Sequence, residues 1–88
     1  MINKEFIIKN KLGLHARAAA QLVQSCNRFR SEITVKKDAV EVNGKSIMGI
    51  LMLAAAQGSR ITLVIDGDDE QQAMETLGQL INDGFGEL

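Results

Sequence analysis

The apolar residues of this chain change their spacing repeatedly, and that alternation constrains the fold more tightly than any bulk property. Glu5 to Lys9, "EFIIK", is a short run of β-formers, and the polar "NKLG" after it is a loop. From Ala16 the period becomes helical. Ala16, Ala19, Ala20, Val23 and Cys26 recur at three- and four-residue spacing, with Arg17, Gln21, Gln24, Ser25 and Arg28 mostly opposite, which predicts an amphipathic helix of about three turns. Alternation then returns: Ile33 and Val35 are interleaved with Glu32, Thr34 and Lys36, and Val40 and Val42 flank Glu41. Two strands joined through "KKDA" make a hairpin.

After "NGKS", Ser46 stands where a serine oxygen accepts a backbone N–H at a helix start. The segment that follows, "IMGILMLAAA", is apolar nearly all round, so it is either fully buried or leaves an apolar patch for a partner; Gly58 suits its terminator. In "RITLVI", Ile61, Leu63 and Ile65 alternate with Thr62 and Val64 as in a central strand. "DGDD" is a turn in which Asp68 or Asp69 can cap a last helix. Ala73, Leu77, Leu80 and Ile81 form that helix's apolar stripe, and Gly84 ends it. The order is strand, helix, strand, strand, helix, strand, helix. A four-stranded sheet with helices on one side buries every stripe in two layers, leaving Thr34, Lys36, Glu41 and Thr62 outward.

Eighty-eight residues allow one domain, 1–88, with one modest core. No stretch approaches the roughly 18 apolar residues of a membrane span, and the first residues lack a cleavable leader pattern, so a cytoplasmic, untargeted protein is expected. Cys26 is the only cysteine and reads as a small buried side chain rather than half of a disulfide. With neither Trp nor Tyr and a net charge of −1, the chain lacks the stacking groups and basic excess of a nucleic-acid binder. Charge is nonetheless segregated: residues 1 to 60 carry all the Lys and Arg against four acids, while residues 61 to 88 carry seven acids and no base.

The lone histidine, His15, falls in the basic part, in "GLHARAAA" at the first helix start. There the unpaired N–H groups of the first turn and the helix dipole favour an anion carried on the ring. Arg17, two residues on, offers a guanidinium fork to phosphate oxygens. No Ser–Asp triad partner accompanies His15, and one His with one core Cys is not a zinc site. A phosphate-accepting nucleophile is the sharpest reading; a helix-flanking surface histidine is the plain alternative.

"LGLHARAAAQLV", then "VNGKSIMGILMLAAAQGS", then "ITLVIDGDDEQQAMETL" resemble, across essentially the whole chain, the HPr family of histidine phosphocarriers of the phosphoenolpyruvate-dependent phosphotransferase system. The resemblance implies an α+β open-faced sandwich, with a four-stranded antiparallel sheet under three helices on one face (βαββαβα). It implies that His15 takes a phosphoryl group on Nδ1 from enzyme I, itself charged by phosphoenolpyruvate, and passes it to an enzyme IIA domain. Arg17 would steady the group, the backbone N–H of Ala16 would help cradle it, and no cofactor or metal would be needed.

By the same resemblance Ser46 matches a serine that a dedicated kinase phosphorylates in some bacteria, although helix capping alone explains a serine there. Ile47, Met48 and Leu51 match docking positions for enzyme I and the acceptors, which the basic half of the chain would help steer if they are acidic. One departure is informative: many sugar-system members read "HARPA", and Ala18 here gives "HARAA", a form similar to that of nitrogen-type and related carriers. Sugar uptake and a regulatory relay both remain open on that ground. A monomer is expected, because a shuttle must release each partner. The rival from another class is a docking module whose phosphorylation state only signals.

Overall fold

The computed structural model describes residues 1–88. Strand β1 (Ile2–Ile7) leads to helix α1 (Ala16–Cys26), the hairpin β2 (Glu32–Lys37) and β3 (Val40–Asn43), a short helix α2 (Ile47–Met52), strand β4 (Arg60–Asp66) and helix α3 (Glu70–Asn82). A 3₁₀ turn, Gly84–Gly86, follows. The strands form one antiparallel sheet in the order β1-β4-β2-β3. This is the open-faced sandwich of the sequence reading, and no helix is long and apolar enough to cross a membrane.

The register explains the burial. β4 lies between β1 and β2, with Ile61 opposite Phe6, Leu63 opposite Val35 and Ile65 opposite Ile33. All six point to the helical face and are buried, while Thr34, Lys36, Glu41 and Thr62 remain on the open face as expected. Helices α1 and α3 cover the inner face with Leu22, Cys26, Ala73, Leu77 and Ile81, joining a single core. Gly78 permits that closeness, because a Cβ there would sit 2.9 Å from the Phe6 ring. Burial pushes the Cys26 thiol up to about 12.

The structure corrects four local expectations. β1 begins at Ile2 rather than Glu5, because pairing with β4 extends through the polar residues Asn3 to Glu5 of an edge strand. The buried stripe of α1 is Ala18, Ala19, Leu22, Val23 and Cys26, leaving Ala16 exposed and Ala20 half-buried. Leu22 sets that rotation, since burying one leucine contributes about 1.5–3 kcal/mol and alanines contribute far less.

The other two corrections concern helix ends. α2 stops at Met52, well short of Gly58, with Ala54 at φ 49°. The following chain is used instead to pair with the loop before α1: the Ala55 carbonyl accepts from the Leu14 N–H at 2.9 Å. Gly58 occupies a later turn at φ 88° and donates to the Ile8 carbonyl at 2.8 Å. Finally, neither aspartate caps α3 with its side chain. The Asp69 carboxylate instead accepts from the Arg30 and Ser31 N–H groups, at 2.9 and 3.0 Å, and from the Ser31 hydroxyl, while exposed Asp68 pairs with Arg30.

Candidate functional site

His15 is the N-cap residue of α1. Its backbone is extended (φ −73°, ψ 178°), so its carbonyl opens the helix by accepting from Ala19 at 2.8 Å while its side chain caps nothing. The ring is thereby free to turn outward, and the N–H groups of Ala16 and Arg17 in the first turn have no backbone acceptor. No acidic residue occupies that turn. Ala16 and Arg17 are both exposed, and the Arg17 guanidinium is in no ion pair. The sequence-marked trio of His15, Ala16 and Arg17 therefore shares one helix end.

Two further residues complete the site, and neither carries a local signal in the sequence. The carboxylate of Glu87 reaches His15 from the far end of the chain, with Oε2 2.6 Å from Nε2. Its other oxygen, Oε1, accepts from Asn10 Nδ2 at 2.9 Å. Asn10 is wholly buried and also donates from Nδ2 to the Gly13 carbonyl at 2.8 Å. Glu87 is delivered by the 3₁₀ turn, in which buried Phe85 anchors the tail in the core and the Glu87 N–H donates to Gly84.

The Asn10 hydrogen bond first, then that of His15, holds the Glu87 carboxyl below the usual carboxylate range, with the nearby charges of His15 and Arg17 acting in the same direction. Lys9, Lys11, Leu12 and Gln57 line the surrounding open cleft, so its rim is cationic apart from Glu87. Gly13, at φ 64°, makes the turn into the site; a side chain there would run into the Ala55 carbonyl oxygen. An imidazole nitrogen without a hydrogen-bond partner, free helix N–H groups and an unpaired guanidinium together suit a transient, doubly charged oxyanion.

The remaining sequence-marked residues lie on α2, which packs beside α1. Ser46 caps it, its oxygen accepting from Gly49 N–H at 3.1 Å. Of the helix only Ile50 is buried; Ile47, Met48, Leu51 and Met52 are exposed, so the apolar segment gives Ile50, Leu53 and Ala55 to the core and leaves a patch in solvent.

Known proteins share this sequence and fold. The family profile described as "PTS HPr component phosphorylation site" matches residues 2–83. The phosphocarrier protein HPr of Xylella fastidiosa (strain 9a5c) is 51% identical over 87 residues, covering 99% of this chain and 98% of its own. That of Neisseria meningitidis serogroup A is 53% identical over 87 residues with the same coverage. The crystal structure of HPr-C-His from Thermoanaerobacter tengcongensis superposes with a TM-score of 0.96 at 49% identity, over 100% of this chain and 99% of that one. A profile match over nearly the whole chain, full-length relatives at about half identity and the same sandwich lead to one conclusion: the chain belongs to the HPr family, the phosphocarriers that take a phosphoryl group from enzyme I and hand it to enzyme IIA in the phosphotransferase system.

Proposed function

We propose that His15 is the residue on which this carrier holds its phosphoryl group, bonded to Nδ1. The observation that carries the reading is the occupation of Nε2 by Glu87, which leaves Nδ1 as the unengaged ring nitrogen at the start of α1. The Nδ1 lone pair attacks phosphorus, the bond from phosphorus to the donor breaks, and its electron pair stays with the donor. Onward transfer repeats the step with Nδ1 as the leaving atom. Arg17 and the N–H groups of Ala16 and Arg17 hold the three phosphoryl oxygens as they arrive and leave, a positioning and electrostatic role.

The chain acts between enzymes as one cytoplasmic unit and turns over no substrate of its own. It works as a single copy that releases enzyme I before engaging an acceptor. The exposed Ile47, Met48 and Leu51 provide the apolar part of the docking surface, a methionine-bearing patch able to fit unlike partners. Ser46, should a serine kinase act on it, would carry a dianion at the start of α2 and repel acidic partner surfaces. Relatives named as phosphocarriers favour rapid transfer over a docking module that merely holds the group.

Incubation with phosphoenolpyruvate and a cognate enzyme I tests the assignment by mass and acid lability. One acid-labile phosphoryl group is expected, absent from His15→Ala. An adduct that survives in His15→Ala, or no adduct at all, would overturn it.

A further inference from the structure

A chain of hydrogen bonds fixes more at this site than the place of the imidazole. The Gly13 carbonyl can only accept, so the Asn10 amide must present Nδ2 to it, and the same Nδ2 faces Glu87 Oε1 at 2.9 Å. Asn10 Oδ1 is buried with no partner, yet the amide does not turn over. Turned over, Oδ1 would face two acceptors, the Gly13 carbonyl and the carboxylate. The amide orientation thus demands an acceptor at Glu87, which is an ionised carboxylate. Its second oxygen, 2.6 Å from His15 Nε2, demands a donor in turn. The proton of the neutral imidazole is thereby placed on Nε2, and the lone pair on Nδ1.

We infer that Glu87 is a positioning residue for phosphoryl transfer, locking His15 in the Nε2–H tautomer and supplying the counter-charge when Nδ1 becomes phosphorylated, and that Asn10 holds Glu87 in that role. This rests on the assignment of His15 above and adds what a surface histidine would lack. Bond formation at Nδ1 with Nε2–H retained makes the ring an imidazolium. The other charged side chains at the cleft, Lys9, Lys11 and Arg17, are all cationic, so Glu87 is the acidic side chain there, and it already touches the ring it would balance. A cationic ring is also the better leaving group, since on departure it becomes neutral imidazole with its proton still on Nε2. The same carboxylate therefore stabilises the loaded ring and, by keeping the proton on Nε2, lets it depart as neutral imidazole, without touching phosphorus.

Long-range ¹H–¹⁵N spectra of His15 in the full chain test this without any partner. Wild type is expected to show a protonated Nε2 and an unprotonated Nδ1. Glu87→Leu is expected to show mixed tautomers, and its single-turnover acceptance from phosphorylated enzyme I should slow on the order of ten-fold at unchanged KM. Glu87→Gln, uncharged but able to accept, should keep more of the tautomer bias than Glu87→Leu. Circular dichroism confirms that each variant keeps its fold, and if Glu87→Leu does not, the wild-type and Glu87→Gln spectra decide. A wild-type Nδ1–H tautomer, or a Glu87→Leu variant with unchanged tautomer and rate, or a loss confined to KM, would overturn the inference. Failure of His15 to accept phosphate with its Nε2–H tautomer intact would instead sink the phosphoryl assignment, so the two readings fail separately.

Discussion

His15 and Glu87 are separated by 72 positions in sequence, yet their side chains meet at 2.6 Å. The site is consequently a tertiary object, built where the loop before α1 meets the chain's last turn. It has two supports: a left-handed glycine at 13 brings the loop against Ala55, and the buried Phe85 side chain anchors the tail in the core.

Gly13→Ala should therefore damage stability and function together. Its φ of 64° disfavours a side chain, and the new Cβ would run into the Ala55 carbonyl that accepts from Leu14. Strain of this kind costs about 1–3 kcal/mol. For a domain of this size each kcal/mol lowers Tm by roughly 4–8 °C. Calorimetry with a parallel phosphorylation assay checks it: a large fall in Tm with undiminished acceptance would separate the turn from the site.

Met48→Ser should do the opposite. The side chain is 72% exposed, so stability should stay within about 0.5 kcal/mol. If Met48 anchors docking, KM for enzyme I should rise about five- to ten-fold, roughly 1 kcal/mol, with kcat kept. Steady-state kinetics at constant ionic strength decide it, and an unchanged KM would remove Met48 from the interface.

Acid should unfold the protein by way of three carboxylates held below their usual range. Asp69 is lowered first by the Ser31 hydroxyl and then by the Arg30 N–H. Glu70 is lowered first by the Gly67 N–H, and Glu87 first by Asn10. Each binds its proton more weakly in the folded chain than unfolded, so its stabilisation is complete above the unfolded value and lost as pH falls through the lower native one. The thermal midpoint should be level above roughly pH 5 and decline below about pH 4. Asp69→Asn should flatten that decline; parallel curves for variant and wild type would show that Asp69 contributes nothing to it.

Features set by neighbouring residues were legible in the sequence. The alternation of Ile61, Leu63 and Ile65 marked the central strand, Ser46 marked a capped helix, and His15 with Arg17 marked the start of α1. Features set by distant residues were not. Nothing near Ala54 announces that α2 must end to free the Ala55 carbonyl for Leu14. Asn10 reads as an ordinary loop residue until its burial is seen, and Glu87 as one more acid in an acidic tail. In α1 the error was one of weighting: a stripe traced through small alanines missed that one leucine decides which way a helix faces.

The placement of β4 between β1 and β2 also dictates when this protein can come into being. Neither outer strand of that trio has a sheet partner next to it in sequence except through β3, and β1 pairs with nothing but β4. The inner sheet therefore cannot close until residues 60–66 exist, long after the His15 end of α1 has been made. Such distant pairings slow folding relative to helical bundles of similar length. A ribosome-bound nascent chain would accordingly carry His15 early and its folded surroundings late, the site being assembled only once β4 and the turn that delivers Glu87 have followed.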